Sequence, residues 1–319
     1  MKEIGGYFGL EYFSGKEYHE GLVAVNSGRH ALLYLLKARQ IKKLYLPYFL
    51  CDSVSNLCDR YGFSYEYYKI DRNFMPVFDG KLEGGEYLYA VNFYGQLSND
   101  RIRQLKERYG NIIVDNVHAF FQRPVPGIDT IYSCRKFFGV PDGGYLATDV
   151  ILEEEIPLDV SKDRMKHILG RFEGCASAYH GDFRANDRAM AEQPLRRMSA
   201  LTHNLLRAVD YETACRKRNE NFALLHEMLG KYNPLQVSVP EGPYAYPFYC
   251  PKGMEVKKTL AQNKIYVATL WPNVLCLDGT IEKDYAENIL PLPCDQRYGL
   301  EDMSTIAEMI CRCMEEGSK

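Results

Sequence analysis

Residues 131–139 read IYSCRKFFG, and residues 141–144 read PDGG. The first three residues are typical of a short buried strand, Lys136 follows in a turn, and the glycine pair allows two backbone segments to pack closely. A lysine at the end of a core strand is unusual, because burying an ammonium is costly unless its charge is lost or its amine reacts with a carbonyl group. Taken alone, Lys136 is more simply an ordinary solvated lysine. The rest of the chain must decide between these two interpretations.

The composition is that of an ordinary globular protein. A chain of 319 residues can form one large domain or a large and a smaller one. The formal net charge is −3 and there is no basic block, so we expect no nucleic-acid partner. No secretory signal and no apolar run of membrane-spanning length are visible, so no membrane partner is expected. The ten cysteines lack the paired spacing of a zinc site, which predicts reduced thiols, no metal and a cytoplasmic location.

A possible phosphate site lies near the beginning of the chain. A short apolar strand, Leu22–Val25, is followed by a turn, Asn26–Arg29, and an apolar helix, His30–Ala38. Such a junction directs backbone N–H groups and the positive end of the helix dipole at one point, which suits an anion. The simpler alternative is a plain helix cap formed by Asn26 or Ser27.

Apolar strands alternate with helices along the first half of the chain. Strands are predicted at 43–47, 65–70, 87–93 and 111–114, and helices at 52–61 and 100–109. This rhythm predicts an α/β fold with a doubly wound, mostly parallel sheet and helices on both faces. In such sheets, ligands bind outside the carboxyl ends of the strands.

Chemically useful side chains follow two of these strands. Asp115 ends a continuous apolar run and His118 lies three residues further on, while Ser133 and Lys136 come at the end of the next strand. Together with the phosphate turn, they are predicted to meet at one edge of the sheet. Asp115 could instead cap a helix, and His118 could be a satisfied core histidine.

The second half of the chain has a different pattern. Residues 151–190 are charged and are predicted to be irregular, and one long helix is predicted over 196–229. Strands are predicted at 246–250 and 265–270, and a terminal helix at 300–315. We therefore predict a large domain, residues 1–195, followed by the long helix and a small α/β domain, residues 196–319.

Taken together, these parts resemble the nucleotide-sugar aminotransferases of the DegT/DnrJ type, which belong to the fold-type-I enzymes that use pyridoxal 5′-phosphate (PLP). The similar segments occur in the order of the family and cover most of the chain. They are NSGRHAL (26–32), LPYF (46–49), NFYGQ (92–96), IVDNVHA (113–119), DTIYS (129–133), DGGYLATD (142–149), RMS (197–199) and ILPLP (289–293).

The resemblance implies a fold-type-I PLP-dependent transferase, with PLP bound in residues 1–195, and a homodimer. It also implies transfer of an amino group from an amino acid such as glutamate to a keto-sugar linked to a nucleotide. Lys136 would be the Schiff-base lysine and the acid/base, and Asp115 would pair with the pyridine nitrogen. His118 would lie near the ring hydroxyl. The phosphate would be held by Ser133 and by the backbone amides of Gly28 and Arg29.

The chain departs from the family pattern at several positions. Only two residues separate Ser133 from Lys136, fewer than in the sugar enzymes. Cys51 stands where the family often has an aromatic ring over the cofactor, and Leu195 where a neighbouring subunit usually offers an asparagine to the phosphate. Two alternatives therefore stay open: a PLP enzyme of this family that does not transaminate, and a degenerate, non-catalytic protein that binds or regulates. A doubly wound protein without PLP is a third.

Overall fold

The chain is organised around an eight-stranded mixed sheet, which we describe from a computed structural model covering residues 4–316. Its strands are β1 (Val23–Val25), β2 (Lys43–Pro47), β3 (Ser64–Ile70), β4 (Pro76–Val77), β5 (Glu86–Val91), β6 (Ile112–Asp115), β7 (Asp129–Ser133) and β8 (Gly144–Ala147). Their order across the sheet is β1-β8-β7-β6-β5-β2-β3-β4. All neighbours from β7 to β3 in this order pair in parallel, whereas β1, β8 and β4 are antiparallel to their neighbours. The predicted fold class, with its mostly parallel sheet, is confirmed.

Ten helices are present in residues 4–316, together with a second, two-stranded sheet. The helices are α1 (Gly28–Ala38), α2 (Asp52–Tyr61), α3 (Asn99–Tyr109), α4 (Lys166–Glu173), α5 (His180–Glu192), α6 (Ala200–Leu206), α7 (Tyr211–Leu229), α8 (Gly253–Gln262), α9 (Ile281–Asn288) and α10 (Leu300–Glu316). The small sheet pairs β9 (Ala245–Tyr249) with β10 (Ile289–Pro293) in antiparallel orientation. None of the helices in the part of the chain that is described is long and apolar enough to cross a membrane.

The main core is built on α1, which packs against β7 and β8. Every residue from His30 to Leu36 is buried, as expected of a helix that is apolar on nearly all sides. Burial of a leucine side chain contributes about 1.5–3 kcal/mol, so the four leucines of α1 make this helix a major source of stability. The N-terminal end of α1 is therefore held rigidly against the sheet.

The prediction of one long helix over 196–229 is wrong, because this range contains two separate helices, α6 and α7. The side chain of Asp210 accepts a hydrogen bond from the N–H of Thr213 (3.0 Å) and so begins α7. The hydroxyl of Tyr211 donates to the carbonyl of Leu206 at the end of α6 (2.8 Å), which also accepts a hydrogen bond from the N–H of Val209 (3.3 Å). The segment 151–190, predicted to be irregular, contains α4 and most of α5.

The C-terminal part has its own apolar core around the small sheet, formed by side chains of α7, α8, β9, β10 and α10. The strand predicted at 265–270 is wrong, since β9 pairs with β10 instead. Pro291 of β10 lies opposite Pro247 of β9, so the two residues that lack an N–H meet at one position of the ladder. The terminal helix is confirmed by α10. The domain division between residues 195 and 196 stays a prediction, and residues 1–3 and 317–319 lie outside the described part.

Gly144 permits the closest backbone contact near α1. A Cβ atom on this residue would lie 2.5 Å from the carbonyl carbon of Ser27 and 2.6 Å from the nitrogen of Gly28. These backbone atoms belong to the first turn of a buried helix and have little room to move. We expect Gly144→Ala to lower the free energy of unfolding by about 1–3 kcal/mol, the usual cost of overpacking, as measured by urea denaturation.

The matched control is Gly139→Ala, because the nearest atom to a Cβ there is at 3.5 Å, an ordinary van der Waals distance. Equal losses of unfolding free energy in the two variants would show that the short backbone distances at Gly144 are not the reason why an alanine there is destabilising.

Candidate active site

The predicted site residues converge at the carboxyl ends of β6 and β7, which are parallel neighbours. Asp115 is the last residue of β6 and Ser133 the last of β7, and Lys136 follows within one helical turn. The beginning of α1 lies beside them, since a Cβ on Gly28 would be 3.4 Å from Val117 and 3.6 Å from the Ser133 side chain. The sheet edge thus brings together an acid, a hydroxyl, a lysine and a helix N-terminus, as the sequence predicts.

Asp115 is a buried carboxyl group held by two donors. Its Oδ1 accepts a hydrogen bond from the N–H of Val117 (2.9 Å), and its Oδ2 accepts one from the hydroxyl of Tyr89 on β5 (2.8 Å). Burial raises the pKa of Asp115, while these hydrogen bonds and the positive charge of Lys136 act in the opposite direction. A bound cation would therefore favour the ionised form. The sequence analysis missed Tyr89, whose only signal is its position on the strand next to β6.

His118 is fully buried and its Nδ1 has no hydrogen-bond partner in the described part of the chain. Burial, together with the positive charge of Lys136, lowers the pKa of His118 well below its ordinary value, so the imidazole is neutral. Its ring stacks on that of Tyr244, with centroids 4.1 Å apart and planes 6° from parallel. An unsatisfied buried nitrogen of this kind calls for a ligand atom that can complete it.

Lys136 is exposed and its Nζ lies 5.5 Å from the centre of the Tyr244 ring. Within residues 4–316, Lys136 forms no ion pair with a carboxylate. Its charge nevertheless acts on both Asp115 and His118. The amine is thus solvated, as in an ordinary surface lysine, and is also open to an incoming carbonyl compound.

The turn before α1 combines a helix cap with free backbone donors. Ser27 Oγ accepts from the N–H of His30 (3.2 Å) and lies 2.8 Å from His30 Nδ1, while His30 Nε2 lies 2.9 Å from the carbonyl of Gln193. Burial lowers the pKa of His30 to about 4, so its neutral ring donates from Nε2 and accepts the Ser27 proton at Nδ1. The cap predicted at Ser27 is therefore correct. The N–H groups of Gly28 and Arg29, in the first turn, remain directed out of the helix.

Two arginines belong to the segments that meet here, Arg29 to the first turn of α1 and Arg135 to the turn after β7. Nη2 of Arg29 and Nη2 of Arg135 lie 3.9 and 3.5 Å from the same oxygen, Oδ1 of Asp187 on α5. Both arginine side chains are largely buried, at 20% and 15% exposure. Arg135 was not among the predicted site residues, because a basic residue next to Lys136 carries no sequence signal of its own.

The two positions that depart from the family pattern have other roles in this structure. Cys51 is exposed and precedes α2, and Leu195 is buried in the main core. Aromatic rings reach the site from the C-terminal part instead. The ring of Tyr244 stacks on that of His118, and the ring centroids of Trp271 and His118 lie 5.7 Å apart. Among residues 4–316 no group of three or more His, Cys, Asp or Glu side chains is arranged to hold a metal ion.

The residue after Lys136 is tied to the C-terminal part of the chain. The carbonyl of Phe137 accepts hydrogen bonds from Nη2 of Arg218 on α7 (3.2 Å) and from Nε2 of Gln296 (2.8 Å). Arg218 also donates to the carbonyl of Pro243 (2.7 Å), next to Tyr244. Its guanidinium is almost fully buried, and burial lowers the pKa of Arg218 to about 10. Arg218 thus positions both the lysine turn and the segment that carries Tyr244.

Neither a family model nor a curated protein matches the chain in sequence. Solved structures match its fold over most of its length. An aminotransferase of the DegT/DnrJ/EryC1/StrS type from Brucella abortus is 16% identical, with a TM-score of 0.62, over 95% of this chain and 92% of that one. DesI, solved in the presence of its TDP-sugar product, is 14% identical, with a TM-score of 0.64, over 92% and 81% of the two chains. NtdA from Bacillus subtilis, with bound cofactor PMP, is 15% identical, with a TM-score of 0.63, over 92% and 73%. The chain therefore has the fold of these PLP-dependent transferases.

We expect Arg218→Met to lower the free energy of unfolding by about 1–3 kcal/mol, because the buried carbonyl of Pro243 loses its donor. Urea denaturation measures the change. Arg216→Met is the matched control on the same helix, since Arg216 is exposed and forms a surface ion pair with Glu220 (3.1 Å). Surface substitutions of that kind stay within about 0.5 kcal/mol. A loss as small in Arg218→Met would contradict the positioning role.

Proposed function

We propose that the protein is a PLP-dependent aminotransferase that moves an amino group from an amino acid such as glutamate to a keto-sugar linked to a nucleotide. The observation that carries this proposal is the open amine of Lys136 beside the buried carboxyl of Asp115, at one sheet edge and next to the N-terminus of α1. The shared fold supports it, as do the TDP-sugar product of DesI and the PMP bound to NtdA.

The side chains present fit PLP. The unpartnered Nδ1 of His118 can accept a hydrogen bond from a ring hydroxyl. Asp115 is fixed by two donors and still has lone pairs for the proton of a pyridine nitrogen. Gly28 and Arg29 offer backbone N–H groups to a phosphate, and the hydroxyl of Ser133 has no hydrogen bond of its own within residues 4–316.

When bound, PLP supplies an electron sink for the substrate carbanion. The chain's contribution is positional and acid–base. Asp115 keeps the proton on the pyridine nitrogen, and Tyr89 and Val117 fix the direction of its carboxylate. Lys136 would hold the cofactor through Nζ, and the same Nζ would carry a proton to or from the reacting carbon of the substrate. Its exposure leaves room for the substrate to approach.

The two alternatives rest on Cys51 and Leu195, which contribute neither a stacking ring nor a phosphate ligand. Addition of glutamate to the PLP-loaded protein separates them from transamination. Bleaching of the visible cofactor band supports an aminotransferase, whereas a stable band indicates a PLP enzyme of another reaction type. Absence of PLP binding would indicate the non-catalytic protein. The cytoplasmic location stays a prediction.

We expect borohydride reduction of the PLP-loaded protein to attach the cofactor to Lys136, as identified by mass spectrometry of peptides, and Lys136→Ala to abolish both the attachment and the transferase activity. Lys257 is the matched comparison, because burial lowers its pKa to about 8 and so makes its amine easier to deprotonate than that of an ordinary lysine. Attachment at Lys257, or unchanged attachment in Lys136→Ala, would refute the proposed site.

We further propose that the protein forms a homodimer. Large apolar side chains near the beginning of the described chain, those of Ile4, Tyr7, Phe8 and Tyr12, are each more than nine-tenths exposed. Apolar groups gathered in this way favour burial against another protein surface, here that of a second copy. Light scattering after gel filtration should give twice the chain mass, and replacement of both Tyr7 and Phe8 by serine should shift it toward the monomer. Val77→Ser, at a half-exposed position on β4, is the control. A monomeric wild-type mass would refute the dimer.

A further inference from the structure

An arginine in the first turn of α1, Arg29, and the arginine next to Lys136, Arg135, already share an anion from the chain itself. A single carboxylate oxygen of Asp187 lies between the guanidinium groups of Arg29 and Arg135, at 3.9 and 3.5 Å. These distances fit ion pairs but are too long for direct hydrogen bonds. Two cations therefore share one loosely held negative charge.

The two positive charges of Arg29 and Arg135 are balanced by a single nearby carboxylate, that of Asp187. Both side chains are largely buried, while Asp187 is 49% exposed. A third arginine, Arg164, lies close enough to act on Arg135, but it is engaged by its own partner, Asp159. Cations that are removed from water and incompletely paired bind a dianion more strongly than a monoanion.

A phosphate monoester is the ligand that meets all of these features. The backbone N–H groups of Gly28 and Arg29 point out of the first turn of α1. Arg29 belongs to this turn, and Arg135 is two residues after Ser133, whose side chain lies next to Gly28. Arginine forks are suited to phosphate oxygens. Asp187 repels the same ligand, because its carboxylate has the same sign.

We propose that Asp187 is an internal counter-ion that occupies the arginine pair until the phosphate group of the cofactor displaces it. The inference rests on the proposed function, because it assigns the displacing phosphate to PLP. Asp187 then weakens cofactor binding, and its departure releases α5 from Arg29 and Arg135.

The release is local, because the end of α5 has other attachments. Arg60 donates to the carbonyls of Ala191 (2.8 Å) and Glu192 (3.1 Å), and His30 contacts the carbonyl of Gln193. Loss of the Asp187 pairs therefore frees the middle of α5 while its C-terminal end stays in place. The cofactor should make this helix exchange its amide hydrogens faster, although ligand binding ordinarily slows exchange.

The test compares PLP with pyridoxal, which has the same ring and aldehyde but no phosphate, by absorbance titration of the full chain. We expect Asp187→Asn to lower the Kd of PLP roughly three- to tenfold, the effect of removing one weak ion pair, and to leave the Kd of pyridoxal unchanged. Asp182→Asn is the matched control, because Asp182 is on the same helix but pairs with Lys166 (2.8 Å). It should change neither constant. Arg135→Gln should weaken PLP at least tenfold and spare pyridoxal.

An unchanged or weaker affinity of Asp187→Asn for PLP would overturn the inference, and so would an equal gain for pyridoxal. Inorganic phosphate provides a separate measurement. It should raise the melting temperature of the wild type, and more so that of Asp187→Asn, and equal shifts would also overturn the inference. If PLP fails to attach to Lys136, the proposed function fails, whereas the phosphate measurement still decides the role of Asp187.

Discussion

The backbone contact between Gly144 of β8 and the Ser27–Gly28 peptide is the constraint on which the rest of the site depends. It is reinforced by a hydrogen bond from the N–H of Gly143 to the carbonyl of Asn26 (2.9 Å). Because β8 is antiparallel to β7, this contact carries the beginning of α1 to the strand that ends at Ser133. A side chain at Gly144 would push the helix away, and its N–H groups would no longer point at the edge where Asp115 and Lys136 lie.

Charge in the site is separated by depth. Asp115 and His118 are buried, and burial together with the charge of Lys136 keeps the imidazole of His118 neutral. The charge of Lys136 favours the ionised form of Asp115. Lys136 itself is exposed to solvent. Burial raises the pKa of Asp115, and the donors Val117 and Tyr89, together with the charge of Lys136, oppose this effect. The arrangement can therefore stabilise positive charge at its base and accept substrates at its surface, without a metal ligand set among residues 4–316.

Local patterns were sufficient to predict the sheet, the end of β6 at Asp115 and the turn with Lys136, because apolar runs and the residues that end them are short-range signals. The break between α6 and α7 was missed, since the Asp210 cap lies within an otherwise helical pattern. Tyr244, Arg135 and Asp187 were also missed. Their roles depend on contacts between segments far apart in the chain, and no spacing rule encodes which arginine meets which carboxylate.

The carbonyl of Phe137 receives its hydrogen bonds from Arg218 and Gln296, 81 and 159 residues further along the chain. The large sheet and the turn that carries Lys136 thus depend on hydrogen-bond donors from the C-terminal part of the chain. In a chimaera that joins residues 1–195 of this protein to the C-terminal part of a relative, the graft must bring its own donors to that carbonyl. Whether such a chimaera folds would then depend less on the sequence at the junction than on finding donors for the carbonyl of Phe137.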